Sequence, residues 1–141
     1  MISWNKLVPE LIVSHLDKSL NFWVEMLGFS VLYARKKERF CYLERDGVQF
    51  MLEEFQEEQW VTAPLETPFG RGINFQIEVD EIEPILASLK EAKISLFSEP
   101  QEVWYQADDI EHGQIQFLVQ DPDGYLLRLV KIIGERDVRH N

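Results

Sequence analysis

Two stretches of this 141-residue chain set flat aromatic rings beside runs of carboxylates. Trp60 follows Glu53, Glu54, Glu57 and Glu58, and Trp104 and Tyr105 precede Asp108, Asp109 and Glu111. A ring offers a face for stacking and a carboxylate attracts a cation, so the pairing suits a flat, cationic ligand. Core packing competes with stacking for Trp104 and Tyr105, because strand alternation turns one of two neighbours inward. Trp60 stands in a non-periodic acidic stretch, which points to a loop or cavity role. Reactive chemistry finds less support. His15 falls at a strand-to-helix turn, His112 in an acidic loop and His140 in a charged tail, and each reads as a solvated side chain. Cys41 is the one cysteine, so neither an intramolecular disulfide nor a thiolate metal site can form. Its strand-like neighbours Phe40 and Tyr42 make it a buried, inert thiol. The sequence contains no His-Glu-x-x-His, paired-cysteine, phosphate-loop or activated-nucleophile motif. Neighbouring carboxylates such as Glu53-Glu54 and Asp108-Asp109 would point to opposite faces of a strand, a poor arrangement for an acid/base couple.

Charge narrows the partners. Lys and Arg total 14 against 25 Asp and Glu, a formal net charge of -11. A nucleic acid or an anionic membrane surface would be repelled, and a cationic ligand attracted. Apolar residues make up 45% and charged residues 28%, which fits a globular chain and excludes a disordered one. No apolar run approaches the roughly 20 residues of a membrane span, and the first ten residues show no signal-type apolar region. The expected setting is cytoplasmic, with no cofactor.

Those candidate residues must be positioned by a repeated pattern of elements. Residues 7–13 alternate as a strand, with Pro9 marking an edge or bulge. Asp17 stands at a helix start, Leu20, Trp23, Val24 and Leu27 form a helical stripe over 18–27, and Gly28 follows. Residues 29–34, 39–43 and 48–53 read as strands, with Arg45-Asp46-Gly47 as a hairpin turn. Residues 55–71 form a long acidic, Pro-containing connection. The order then recurs: a strand over 73–79, a helix over 81–92 with Pro84 in its first turn, and strands over 94–97, 103–106, 114–119 and 125–130. Asp121-Pro122-Asp123-Gly124 is a strong turn signal. From Gly134 the tail is charged and reads as frayed. Two βαβββ modules, about eight strands in all, account for this repetition. On the second module's first strand, Asn74, Gln76 and Glu78 oppose the apolar set, and Leu126, Arg128 and Val130 share a face of its last strand.

The run from Asp17 to Trp23 with Leu27-Gly28-Phe29, and the run from Leu118 through the Asp-Pro-Asp-Gly turn to Leu129, resemble the vicinal oxygen chelate superfamily. That superfamily holds glyoxalases, fosfomycin-modifying enzymes, extradiol dioxygenases and bleomycin resistance proteins. Phe50 to Glu53 and Trp104-Tyr105 fit its bleomycin resistance branch. The resemblance covers about residues 7–131. It implies an α+β fold in which two βαβββ modules form a curved, cupped mixed sheet with helices outside. The chain is then one domain, 1–141, with modules at about 5–57 and 70–133, a connecting loop at 55–71 and a charged tail at 134–141. Superfamily enzymes hold a divalent metal through equivalent strand positions of both modules, which fall here on Val8, Glu53, Asn74 and Arg128. Only Glu53 is a capable ligand, and Arg128 is a permanent cation; a slip in the first strand would offer Glu10. Arg128 and Glu53 could instead pair and fill that position. The resemblance therefore implies a non-enzymatic protein that sequesters bleomycin-type or other flat cationic antibiotics in an acidic, aromatic groove. It further implies a homodimer, with Trp4 packing across an interface. Its expected ligand residues are Trp60, Trp104, Tyr105, Glu53, Asn74, Gln76, Arg128 and Asp108. The alternative is a metal-dependent superfamily enzyme, a lyase, thiol transferase or dioxygenase, with atypical ligands.

Overall fold

The computed structural model describes residues 2–57 and 60–138; Glu58 and His140 lie outside them. The chain forms two compact units, one of residues 1–71 with 121–125, the other of residues 72–120 with 126–141. Each contains one four-stranded mixed sheet.

In the first unit the order is β1 (Glu10–Val13), α1 (Leu16–Leu20) continued by a π-helical turn (Asn21–Met26), β2 (Ser30–Arg35), β3 (Phe40–Arg45) and β4 (Val48–Glu54). The sheet runs β1-β4-β3-β2. β1 pairs parallel with β4, and the other pairings are antiparallel. Pro9 lies just outside β1, its carbonyl taking the amide of Met51. That places the proline at an edge strand, where its missing N–H costs no ladder bond. Alternation sorts the sheet into two faces. Leu11, Val13, Cys41, Leu43, Phe50 and Leu52 are buried on one. The indole of Trp23, fully buried, meets Phe50 and Phe29 at centroid distances of 4.8 and 5.2 Å. Of the expected stripe, Trp23 and Leu27 are buried and Leu20 and Val24 are half-buried, while Ser19 and Phe22 join the core. The helix starts earlier than expected: His15 occupies the cap position without a side-chain bond, and Asp17 sits in the first turn.

In the second unit β5 (Asn74–Glu78), α2 (Glu83–Glu91), β6 (Ser98–Ala107), β7 (Ile110–Gln120) and β8 (Leu126–Asp137) give the sheet order β5-β8-β7-β6. β5 and β8 are parallel. Ile77, Val79, Phe117, Val119, Leu127 and Leu129 form its buried face, and Ile85 and Leu89 are the buried residues of α2.

Several boundaries differ from the sequence pattern. Residues 94–97 are not a strand; only Phe97 bonds to Leu118, and β6 begins at Ser98. β7 and β8 extend well past their apolar cores. His112 is therefore a strand residue, not a loop one, with Nδ1 3.3 Å from Glu135. The segment expected to fray from Gly134 continues β8 to Asp137, because the ladder with β7 satisfies its backbone. Trp4 packs inside its own unit, edge-on to Tyr42 and Tyr33 at 5.1 and 6.0 Å.

The Asp-Pro-Asp-Gly turn belongs to the first unit. The Asp121 carboxylate accepts the amides of Asp123 and Tyr125 at 3.0 and 2.9 Å and the Trp23 indole N–H at 3.3 Å. Asp123 accepts the Ser14 amide at 3.0 Å, and the Tyr125 hydroxyl donates to the Ile12 carbonyl at 2.8 Å. At Gly124 the backbone has φ +102°, and an added Cβ would lie 2.4 Å from Pro68. Only glycine combines that conformation with that clearance.

Candidate ligand-binding site

The face of the first sheet opposite its Trp23 core gathers charge and rings, with Phe40, Tyr42 and Gln49 buried and Tyr33 exposed. β1 contributes Glu10 and Ile12, β4 contributes Gln49, Met51 and Glu53, β3 contributes Phe40, Tyr42 and Glu44, and β2 contributes Tyr33 and Arg35. Parallel pairing sets Glu10 opposite Met51 and Ile12 opposite Glu53, so the two carboxylates share this face. The Glu10 carboxyl is pushed above its ordinary range, first by partial burial and then by the negative charge of Glu53, with Arg35 acting the other way. Beside them runs a row of rings. Tyr33 stacks on Tyr42 at 5.3 Å and lies 5.8 Å from Phe40. The Arg35 guanidinium stands 3.9 Å over Phe40. Gln49, buried, organises the other end: its oxygen accepts the Tyr42 hydroxyl at 2.5 Å and the Asn5 amide at 2.9 Å, and its nitrogen donates to the Ser3 carbonyl at 2.7 Å.

A pocket of about 380 Å³ lies along the edge strand β1, where the connection over residues 60–71 folds beside it. Glu10, Ile12, Trp60, Glu66, Arg71 and Tyr125 are among its walls. Trp60 is 95% exposed, so its indole is not core, and Glu66 pairs with Arg71 at 3.7 Å.

On the second sheet, Asn74, Gln76 and Arg128 share the face turned away from Leu127 and Leu129, with Gln76 directly opposite Arg128. Gln114, Gln116 and Leu118 of β7 lie on that face too. The Tyr105 hydroxyl donates to the Gln116 oxygen at 3.1 Å, which brings Tyr105 to it. Trp104 points the other way. Its ring lies under the Arg136 guanidinium at 4.0 Å and over Gly113, and its N–H donates to Glu102 at 3.0 Å. A ring already covered by a guanidinium is a structural brace of the hairpin. Asp108 is exposed in the β6–β7 turn, its carbonyl accepting the Gln106 amide.

The predicted residues thus fall into separate groups. Glu53 and Trp60 belong to the first unit, while Asn74, Gln76, Arg128, Trp104, Tyr105 and Asp108 belong to the second. Sequence reading missed Trp4, Tyr33, Phe40 and Tyr42 as a ring row. The alternation of Phe40, Tyr42 and Glu44 was the available signal, but only the β2–β3 register brings Tyr33 and Arg35 to it. Of the positions that the resemblance assigns to the superfamily's metal, Val8 has no donor atom, Glu53 is a capable ligand, Asn74 is a weak one and Arg128 is a cation. Within either unit, among the described residues, no three His, Cys, Asp or Glu side chains gather to hold a metal ion.

The family model described as the Glyoxalase/Bleomycin resistance protein/Dioxygenase superfamily matches residues 7–129. A superfamily member of that description from Vibrio splendidus 12B01 is 40% identical over 88% of this chain and 95% of its own, with a TM-score of 0.41. TioX from Micromonospora sp. ML1 is 17% identical, covers 92% of this chain and 100% of its own, and superposes with a TM-score of 0.69. The genomically encoded fosfomycin resistance protein of Listeria monocytogenes is 21% identical over 92% of this chain and 91% of its own, with a TM-score of 0.59. No curated protein matches.

Proposed function

We propose, proceeding from the fact that the chain belongs to the glyoxalase/bleomycin resistance protein/dioxygenase superfamily, that it sequesters a flat, cationic small molecule without modifying it. Bleomycin-type drugs are the first candidates, other flat cationic antibiotics the next. One observation carries this reading. One face of the first sheet holds two carboxylates, Glu10 and Glu53, beside a ring row in which Tyr33 is exposed and the Arg35 guanidinium, a flat cation, stands over the buried Phe40. A ligand cation there would offset the Glu53 charge, which adds to the rise that burial imposes on the Glu10 carboxyl. Stacking on a ring face adds roughly 0.5–2 kcal/mol for each cation–aromatic contact. Trp60, exposed beside Glu10 in the β1 pocket, is a second stacking surface. In the second unit, taken by itself, Asn74, Gln76, Arg128 and Tyr105 would bind polar groups, and Asp108 would add to the chain's negative field. Trp104, braced by Arg136, is the weakest of the expected stacking residues. We further propose that the protein acts as a homodimer in the cytoplasm.

A fluorescence titration with bleomycin tests this, on protein assayed for metal and with copper-free and copper-loaded drug. Saturable quenching near one drug per chain, with affinity of about -8 kcal/mol or tighter, supports sequestration. Absence of quenching in metal-free protein removes bleomycin as the ligand. A stoichiometric, tightly held metal would put a superfamily enzyme in its place.

A further inference from the structure

Arginines in this acidic chain have abundant carboxylates to meet, and five of the six described ones do meet them. Arg35, Arg39, Arg45, Arg71 and Arg136 each have a carboxylate oxygen within 4 Å. Arg128 is different. It is only partly exposed, on the face of the second sheet turned away from the Leu127 and Leu129 core, and no described carboxylate of its own unit forms an ion pair with it. Glu78 shares that face but lies one pair further along β5, opposite Val130. The Arg128 Nε–H is buried with no acceptor. A partly desolvated guanidinium without a counter-ion is costly to keep, and no packing requirement explains it.

Leu118 stands opposite it on β7, and the polar groups flanking it are carboxamides, each of which can donate. Gln76 is its directly paired neighbour on β5, and Gln116 its diagonal neighbour on β7. The Gln116 oxygen already accepts two bonds, from the Tyr105 hydroxyl at 3.1 Å and the Gln114 amide at 2.9 Å. Those two donors fix the carboxamide's orientation and leave its NH2 to face elsewhere. We infer that Arg128, Gln76 and Gln116 form an oxyanion-binding subsite for a carboxylate or phosphate group of a small ligand. The planar guanidinium supplies a fork for two oxygens and the carboxamides supply flanking donors. Nothing in this depends on a cation binding to the first sheet; the oxyanion site belongs to the second unit by itself.

The test follows the Arg128 Nε–H resonance by NMR in the full chain, assigned by its loss in Arg128→Gln. Benzoate and inorganic phosphate are titrated separately, with sodium chloride as the ionic-strength control. The subsite predicts a saturable shift of that resonance with one oxyanion and only a linear drift for Arg39, already paired with Glu54. Which of the two probes saturates tells carboxylate from phosphate. Arg128→Lys, which keeps the charge but loses the fork, should weaken binding roughly tenfold. A linear response to both anions overturns the inference. So does saturation that appears only in Glu53→Gln, since Glu53 would then be the internal counter-ion of Arg128. Bleomycin binding with no anion response would leave the cation reading standing and remove only this one.

Discussion

Replacing Asp121 by Asn offers a quantitative test of how the first unit is built. The Asp121 carboxylate is 4% exposed and carries three hydrogen bonds. Burial nevertheless dominates and raises its pKa from 3.8 to about 6, with the charge of Asp123 adding to the rise and the bonds opposing it. A raised carboxyl favours the protonated form in the fold. Its stabilising contribution is therefore complete below pH 3.8 and is lost as pH rises through about 6. A shift of about two units corresponds to about 3 kcal/mol between those limits. Asn keeps an oxygen for the amides of Asp123 and Tyr125, but its NH2 cannot accept the Trp23 N–H, a loss of about 1 kcal/mol at every pH. The variant should thus be destabilised by about 1 kcal/mol near pH 4 and stabilised by about 2 kcal/mol at pH 7, with the difference changing sign between. Urea unfolding of both proteins at pH 4, 5, 6 and 7 measures this, and subtracting the two curves cancels every other titrating group. A difference independent of pH would refute the assignment of a desolvated, titrating carboxylate to this turn.

Other consequences are simpler to read. Gly124→Ala must place its Cβ against Pro68 at a left-handed φ, and should cost about 2–3 kcal/mol in a urea melt. Gly113→Ala would bring a Cβ within 2.5 Å of the Trp104 ring; the indole must leave its place under Arg136, so its emission should shift to longer wavelength. Glu10→Gln and Glu53→Gln should each weaken a flat cation's binding about three- to tenfold at low salt, with the loss shrinking as ionic strength rises. Because the Glu10 carboxyl is raised, cation affinity in the native protein should fall as pH drops through the upper carboxylate range, and Glu10→Gln should flatten that profile. A flat profile in the native protein would exclude Glu10 as a binding group.

Much of this architecture is legible in residue order, because local periodicity is a property of neighbours along the chain. Two rounds of strand, helix and three strands, the core role of Trp23, the buried Cys41 and the edge character around Pro9 all follow from alternation, spacing and proline chemistry. The family follows from the helix pattern together with the Asp-Pro-Asp-Gly turn. The ends of β7 and β8 do not follow, since their outer residues are held by cross-strand bonds rather than by an apolar pattern. Nor does the placement of that turn in the first unit. Its carboxylates are claimed by Ser14 and Trp23, about a hundred residues earlier in the chain. The functional groups divide the same way. Acidic and aromatic residues adjacent in sequence single out Trp60 and Trp104, yet one is fully exposed and the other is braced by Arg136. Glu10 and Glu53 become neighbours only through a parallel pairing, the Tyr33–Tyr42 stack only through the β2–β3 register, and the buried, acceptor-free Nε–H of Arg128 only through the packing of the second sheet. Sequence determines what each residue can do. Register, burial and packing are relations between distant residues, and the tertiary structure alone decides them.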